Sequence, residues 1–275
     1  MLTFRDLVRA DIPTALALCR ASRWNQVARD WEHFLRLSPG GCRGAEVDGR
    51  LVGTVTTVRY EPGFAWIGMV LVDPEFRGRG VGTALLEEAL RLPRDVTTVW
   101  LDATPAGYGL YRKLGFEEDS RLVRMECTVP LMPMTGTSIE PLAAVDVVTS
   151  LDRRVFGGER AFHLEWMLEG CPRRAWMTAE MDGFVCARTG ENFLHVGPLV
   201  APDPATAATL LAASGSHAEG KPVIVDATTL HPEWLDRFSA LGFREQRPFI
   251  RMRKGPAAGK LPHPFEFAIL GPEFG

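Results

Sequence analysis

Cysteine is scarce in this chain, and its arrangement excludes two common roles. Five cysteines occur in 275 residues, at positions 19, 42, 127, 171 and 186. Their number is odd, their spacing is wide, and no C-x-x-C pair occurs. A disulfide framework needs paired cysteines and a structural zinc site needs closely spaced ligands, so neither is expected. The pattern favours a reducing compartment, and the scattered histidines add no metal-ligand spacing.

The chain also lacks a strong excess of charge and a long apolar segment. Its formal net charge is −3 and its pI is about 6.1, which argues against the basic surface typical of nucleic-acid-binding proteins. The first residues have no signal-peptide layout. The apolar run 64–72 is far shorter than the roughly 20 residues that span a bilayer. We therefore expect a cytoplasmic protein with neither a nucleic-acid nor a membrane partner.

Hydrophobic residues make up 46% of the chain, which is enough for two cores. Their periodicity predicts alternating strands and helices. The predicted strands are 2–5, 42–47, 51–60, 64–72, 97–103 and 122–127, and the predicted helices are 10–20, 27–37, 107–114 and one that starts at Val81. Asp48-Gly49 marks a hairpin turn. The strand at 64–72 is apolar on both faces, as in the middle of a sheet.

The second half of the chain repeats markers of the first. Leu-Asp-Ala-Thr at 101–104 recurs as Val-Asp-Ala-Thr at 225–228, and Leu-Gly-Phe at 114–116 recurs at 241–243. Arg-Met at 124–125 recurs at 251–252. The repeat predicts two copies of one α/β unit. We assign them to residues 1–128 and 138–254, with a linker at 129–137 and a tail at 255–275 outside both copies.

A glycine-rich loop follows the apolar strand. After Asp73-Pro74 come Arg-Gly-Arg-Gly-Val-Gly at 77–82 and then a helix. Glycines let a ligand approach the backbone closely, and a helix start leaves N–H groups unpaired, so the loop suits a pyrophosphate. Its spacing is neither that of a nucleotide P-loop, which needs a lysine, nor G-x-G-x-x-G. For the loop alone, a surface turn with solvated arginines is the alternative.

In context, this loop resembles the GNAT superfamily of acetyltransferases. R-x-x-G-x-G at 77–82 is followed by Leu-Tyr-Arg-Lys-Leu-Gly-Phe at 110–116 in the expected order and spacing, and the resemblance covers about residues 2–128. The stretches 24–26, 101–107 and 271–275 are similar to a bacterial two-domain group of the superfamily. The resemblance implies an α/β fold with a mixed sheet, present twice in tandem, and acetyl-CoA as the donor, without a metal.

The resemblance also implies roles for single residues. The implied cofactor-binding residues are Val70, Leu71 and Val72 for the pantetheine arm, and Arg77, Gly78, Arg79, Gly80, Val81 and Gly82 for the pyrophosphate. Thr104 stands where many members have asparagine, so it is expected to hold the arm more weakly or through water. Gly107 stands where many have alanine. Trp24 and Asn25 stand where members contact the acceptor; a core tryptophan and a turn asparagine are the alternative.

Tyr111 is the predicted general acid. A thiolate leaves when an amine attacks a thioester, and a phenol within hydrogen-bond reach can protonate it; a packing tyrosine is the alternative. Asp102, Asp30 and Glu61 are candidates for the base, and none is chosen. Asp102 recurs as Asp226, which favours a structural role, and Asp30 is expected on a solvated helix face.

The second copy lacks these groups. Residues 77–82 correspond to Ala-Thr-Ala-Ala-Thr-Leu at 205–210, and Tyr111 corresponds to Phe238. We expect this copy to bind no CoA, and instead to cover the acceptor pocket or to form a homodimer surface. Arg188 is expected in a surface salt bridge, with an acidic acceptor group as the alternative. A tail strand at 265–270, without an evident partner in its own copy, is expected to dock at the domain junction opposite Trp24 and Asn25.

Together these observations predict an enzyme that moves an acetyl group from acetyl-CoA to a primary amine of a small molecule by direct attack. A protein or peptide N-acetyltransferase and a non-catalytic acyl-CoA sensor are the alternatives.

Overall fold

A computed structural model of the protein describes residues 1–91, 96–257 and 263–275, and its strands form one mixed sheet. Residues 258–262 of the predicted tail lie outside the described residues. The strands are β1 (Leu2–Asp6), β2 (Cys42–Val47), β3 (Arg50–Tyr60), β4 (Phe64–Val72), β5 (Thr98–Ala103), β6 (Glu117–Cys127), β7 (Ile139–Pro141), β8 (Trp176–Thr178), β9 (Phe184–Thr189), β10 (Leu194–Val200), β11 (Val223–Thr228), β12 (Arg244–Lys254) and β13 (Glu266–Ala268). The predicted mixed α/β fold is confirmed.

The helices in the described part of the chain occupy both sides of this sheet. They are α1 (Ile12–Ala21), α2 (Ala28–Leu37), α3 (Val81–Arg91), α4 (Pro105–Lys113), α5 (Asp146–Phe156), α6 (Ala161–Gly170), α7 (Pro204–Gly215) and α8 (Pro232–Ala240). Helices α1 and α2 pack with Leu51 in one hydrophobic cluster, whereas α3 packs with Val52 in another. Because adjacent residues of a strand point to opposite faces, these helices cover opposite faces of β3.

The first four strands lie side by side in chain order, each antiparallel to the next, and β2 and β3 form the predicted hairpin. The turn between β2 and β3 holds Asp48 and Gly49 at φ of 51° and 79°, the conformation that a tight hairpin requires. Strand β5 then lies parallel to β4, but the two pair only where residues 64–66 face residues 98–100. Beyond Trp66 the strands separate, which leaves one edge of β4 unpaired by β5.

The two halves of the chain exchange their last long strands. Strand β12, from the second half, lies between β5 and β6. Strand β6, from the first half, lies between β12 and β11. It begins at Glu117 rather than at the predicted 122, because it pairs with β12 along most of its length. The halves therefore share one continuous sheet, and the domain boundaries proposed from the repeat stay a prediction.

Two equivalent buried ion pairs join the exchanged strands to their hosts. Arg251 donates to both carboxylate oxygens of Asp102, each at 2.9 Å. Arg124 donates to both oxygens of Asp226, each at 2.7 Å. The four residues are the ones that recur in the repeat, and each pair crosses from one half to the other. Asp102 thus serves as a structural anchor, since removing one member of a buried pair costs about 3–5 kcal/mol.

The tail strand has a place in its own half, contrary to the sequence-based expectation. Strand β13 lies antiparallel between β10 and β11, which correspond in the repeat to β4 and β5. Its Glu266 carbonyl accepts from the Thr228 hydroxyl at 2.7 Å, and the Ile269 N–H donates to the Asp226 carbonyl at 3.0 Å. The repeat hid this position because the equivalent gap in the first half contains no strand among the described residues.

After β13 the tail crosses to the first half, as expected. The Trp66 indole N–H donates to the Pro272 carbonyl at 2.9 Å, and the Tyr60 hydroxyl donates to the Phe274 carbonyl at 2.7 Å. The Phe274 ring stacks on Phe34. The last residues of the chain are therefore core residues at the junction of the two halves.

Candidate active site

The separation of β4 from β5 opens a gap with exposed backbone groups. On its other side β4 stays paired to β3, with Val72 opposite Gly53 and Leu71 opposite Thr54. The register shifts near Met69, which has a φ of 51°. An extended ligand arm fits such an edge, because β5 pairs with β4 only as far as Trp66 and leaves the gap-facing backbone groups beyond it without a strand partner.

The glycine-rich loop lies at the end of this gap. Gly78 and Gly80 have φ of 74° and 82°, a backbone conformation that glycine adopts without strain. Apart from the adjacent residues in the chain, no atom of the described residues lies within 4 Å of a Cβ placed on either glycine, so this face of the loop is open. The first N–H to bond back across the start of α3 is that of Ala84, to the Gly80 carbonyl at 3.0 Å. The N–H groups before it are the free donors of a helix N-terminus, which suit a phosphate.

Both arginines of the loop are exposed, and each has a contact that positions it. Arg77 donates to the Val72 carbonyl at 3.0 Å and to the Ser22 hydroxyl at 3.2 Å. Arg79 lies over the Phe76 ring at 5.2 Å. The loop therefore combines open backbone donors with two cationic side chains, which is what a pyrophosphate requires.

A cavity at the junction of the halves brings most of the other predicted residues together. Trp24, Asn25, Val70, Thr104 and Tyr111 all line it. The sequence-based reading missed a second group that lines the same cavity: Gln26, Arg124, Arg247, Phe249, Pro272 and Glu273. In the sequence, Arg124 is a marker of the repeat, and Gln26, Pro272 and Glu273 lie in stretches similar to the two-domain group, but neither observation assigns these residues to the site. Leu71, Val72 and residues 77–82 do not line the cavity and lie along the gap that leads to it.

Tyr111 is a half-buried residue of α4 that faces this cavity. Its ring lies beside Gly107, where an added Cβ would be 2.8 Å from the Tyr111 Cε2 atom. Burial raises the pKa of Tyr111 to about 12. The phenol therefore keeps its proton near neutral pH and is available as a hydrogen-bond donor to a leaving thiolate.

Thr104 begins α4, and its counterpart in the second half shows what such a threonine does. No capping hydrogen bond ties the Thr104 side chain to its own helix. The equivalent Thr228 donates to a carbonyl of β13 in the gap between β10 and β11. Thr104 occupies the same position beside an open gap, where a carbonyl of an extended ligand would find the same donor.

Asn25 and Gln26 divide their roles at the cavity wall. The Asn25 side-chain oxygen accepts from the N–H groups of Asn192 and Phe193, both at 2.9 Å, so it orders a loop of the second half. The Gln26 amide nitrogen donates to Glu273 at 2.8 Å. The buried Gln26 Oε1 has no hydrogen-bond partner among the described residues. The Gln26 side chain, which lines the cavity, thus has an unused acceptor.

Asp30 and Arg188 are both buried, so their expected surface positions are wrong. Arg188 donates to Asp30 at 2.7 Å and also bonds to Glu273. Asp30 lies on the face of α2 that packs inward, and its partner lies far away in the sequence, so helix periodicity alone did not reveal the pair. Burial raises the pKa of Asp30. For Glu273, burial opposes ionisation, but Arg188 and His195 hold the pKa below its usual range. Glu61, the remaining candidate base, is exposed and does not line the cavity.

The second half closes its equivalent gap from within. Strand β13 fills the space between β10 and β11. At the start of α7, the Asp203 carboxylate accepts from the N–H groups of Ala205 and Thr206, at 2.7 and 3.0 Å. A carboxylate of the protein therefore binds N–H groups at the start of α7, whereas the corresponding N–H groups at the start of α3 remain available to a ligand.

The comparisons with known proteins agree with this asymmetric pair of folds. A family model described as acetyltransferase (GNAT) family matches residues 10–116, and one described as acetyltransferase (GNAT) domain matches residues 148–263. The chain belongs to the GNAT family of acetyltransferases. It is an enzyme with two GNAT domains in tandem, which confirms the family predicted from the loop and the 110–116 motif.

Similar proteins extend over most of the chain. A holothin acyltransferase from Pseudoalteromonas sp. (strain SANK 73390) is 29% identical over 242 residues, which is 86% of this chain and 82% of the relative. A structure from Pyrococcus horikoshii is 24% identical, with a TM-score of 0.85, covering 100% of this chain and 96% of the other. A tandem GNAT protein from the clavulanic acid biosynthesis pathway is 18% identical, with a TM-score of 0.67 and coverage of 94% and 100%. The two structures show the shared fold.

Among the described residues, no helix combines the length and the apolar character needed to cross a membrane.

Proposed function

We propose that the first half binds acetyl-CoA and transfers its acetyl group to a primary amine of a small molecule. The pyrophosphate lies on the loop 77–82, and the pantetheine arm pairs with residues 70–72 and accepts from Thr104. The thioester then reaches the cavity that Tyr111 lines. The observation that carries this proposal is that the gap, the open loop and a protonated phenol belong to one continuous site, while the second half fills its own gap.

Acetyl transfer in this site needs few groups. The neutral amine nitrogen attacks the thioester carbon, the carbon–sulfur bond breaks, and the thiolate takes the proton of Tyr111. The nitrogen loses one proton to solvent as the amide forms, and the Tyr111 phenolate regains a proton from solvent. No base is assigned, because Asp102 and Asp30 are held by buried arginines. The amine must therefore shed its proton to solvent or arrive neutral.

The enclosed position of the cavity supports a small acceptor. Trp24 and Asn25 of the first half and Pro272 and Glu273 of the tail all line it, so residues from both ends of the chain surround the acceptor. A protein substrate would need an open groove, and a sensor would not need a phenol. The relative that matches most of this chain is a holothin acyltransferase rather than a protein acetyltransferase, which also supports a small acceptor.

A panel assay tests the proposal. Release of the CoA thiol is measured with small amines, amino acids, antibiotics and peptides, for the wild type and for Tyr111→Phe. Turnover of small amines that depends on Tyr111 supports it. Turnover of peptides alone favours the protein acetyltransferase, and tight acetyl-CoA binding without turnover of any acceptor favours the sensor.

A further inference from the structure

Arg247 is a cation without a counterion at the cavity. It lies half-buried on β12, and no carboxylate of the described residues is within ion-pair distance of it. Its Nε atom is buried without a hydrogen-bond partner, and its guanidinium lies over the Phe249 ring at 5.0 Å. The other arginines at the junction, Arg124, Arg188 and Arg251, each have a buried carboxylate partner. Arg247 is therefore built into the site without the partner that its neighbours have.

The position of Arg247 connects the catalytic cavity to the outside. Arg247 and Arg124 line both the Tyr111 cavity and a second, outer cavity. In the outer cavity Arg20 pairs with Glu191 at 3.1 Å, while Arg23 has no carboxylate partner in the described part of the chain. Burial and the charge of Arg124 lower the pKa of Arg247 to about 10. The side chain is thus charged at neutral pH, and an incoming anion would relieve its unfavourable environment.

We infer that Arg247 binds a carboxylate of the acceptor, so that the substrates are amines that also carry a carboxylate. A guanidinium is a planar donor that matches a carboxylate with two parallel hydrogen bonds. The unmatched Gln26 Oε1 in the same cavity accepts an N–H, which the amine supplies. One molecule with both groups satisfies both orphaned atoms. The inference deepens the proposed function and rests on it for the amine.

Pairs of acceptors that differ only in the charge of one group isolate the effect of the carboxylate charge on turnover. The probes are ω-amino carboxylates with three to six carbons and the corresponding ω-amino carboxamides, whose amines have similar basicity. The variants are Arg247→Gln, Arg247→Lys and, as a control, Arg244→Gln. Arg244 is an exposed residue of the same strand and lines neither cavity.

In each pair, the wild type is expected to have a higher kcat/KM for the carboxylate than for the carboxamide. Arg247→Gln should lower kcat/KM for carboxylates by roughly 10- to 100-fold, the usual worth of hydrogen bonds to a charged group. Carboxamides should change little, Arg247→Lys should recover part of the loss, and Arg244→Gln should behave as the wild type. Equal use of both members of every pair, or equal losses for both in Arg247→Gln, overturns the inference.

Binding is measured separately from turnover, by ligand-observed NMR with the protein saturated with CoA. A carboxylate preference that Arg247→Gln removes, without turnover, keeps the Arg247 site and rejects the acetyl-transfer step. Turnover of carboxamides without any carboxylate preference keeps acetyl transfer and rejects the Arg247 site.

Discussion

The proton of Tyr111 is expected to matter more than its ring. Tyr111→Phe keeps the packing but cannot protonate the departing thiolate, so kcat should fall on the order of 10²-fold. Calorimetry should find an unchanged Kd for acetyl-CoA. Because burial raises the pKa of Tyr111 to about 12, the wild-type kcat should not decline from tyrosine ionisation below pH 10. A kcat that survives the substitution means that the thiolate leaves without this acid.

Gly107 gives Tyr111 its position, and a neighbouring glycine provides the control. A methyl group on residue 107 would lie 2.8 Å from the Tyr111 ring, whereas one on Gly109 would meet no atom within 4 Å. Both residues are in α4, so both substitutions to alanine improve helix propensity alike. We expect Gly107→Ala to lower kcat about tenfold, since small displacements of a catalytic group are costly, and Gly109→Ala to leave it unchanged. Equal kcat values for the two variants would exclude this positioning role.

Thr104 and Thr228 are equivalent in the repeat, but they have different hydrogen-bond partners. Thr228 donates to a strand of its own half, and Thr104 is expected to donate to the cofactor. Thr228→Val removes the donor to the Glu266 carbonyl and should lower the free energy of unfolding by about 1–3 kcal/mol, the cost of an unsatisfied buried group. Thr104→Val should instead leave stability unchanged and weaken acetyl-CoA binding about 2- to 10-fold.

Titration calorimetry should also find one acetyl-CoA per chain, since β13 and Asp203 close the second gap. A second site, or a Thr228→Val effect on cofactor affinity, contradicts this division.

A hydrogen-bond network that contains two neutral histidines links the tail to the first half. It predicts how the stability of the whole molecule changes at low pH. Each polar atom of this network has a hydrogen-bond partner when the bonds run in one direction. Arg36 donates to His33, His33 donates to His163, His163 donates to the Tyr60 hydroxyl, and Tyr60 donates to the Phe274 carbonyl. Burial lowers the pKa of His33 to about 3 and that of His163 well below its usual range. A proton on either ring would break this order.

The sign of the pH effect follows from these lowered values. In the unfolded chain both histidines bind protons near pH 6.5, whereas in the folded protein they stay neutral. The free energy of unfolding should therefore be constant above about pH 7.5 and fall by about 1.4 kcal/mol for each of the two histidines between pH 7.5 and 5.5. Urea denaturation at the two pH values measures this difference. His33→Gln should reduce it by one histidine's share, and His217→Gln, for which we expect no such role, should not.

Local patterns in the sequence predicted the elements well, because local physics determines them. The strand 64–72 is apolar on both faces, and Asp48-Gly49 has only one good hairpin conformation. The pairing partners of β6 and β12 could not be predicted. A repeat shows that two strands are equivalent, but it does not show which half each strand pairs with. The buried Asp30 and Arg188 were missed for the same reason, since their attraction acts across 158 residues. In the site, short motifs led to the loop and Tyr111, while Arg247 belongs to no motif. Gln26 and Glu273 lie in stretches similar to the two-domain group, but their hydrogen bond forms only in the folded molecule.

The exchange of β6 and β12 gives this single chain the architecture of a domain-swapped dimer. Two identical chains that each lend their last strand to the other form a domain-swapped dimer, related by a twofold axis between the lent strands. Joining the end of one such chain to the start of the next would produce the strand order seen here, with Asp102–Arg251 and Asp226–Arg124 as the two images of one ancestral contact. The two images of the gap need not be alike within a single chain, and here they differ. The first is open, whereas β13 fills the second.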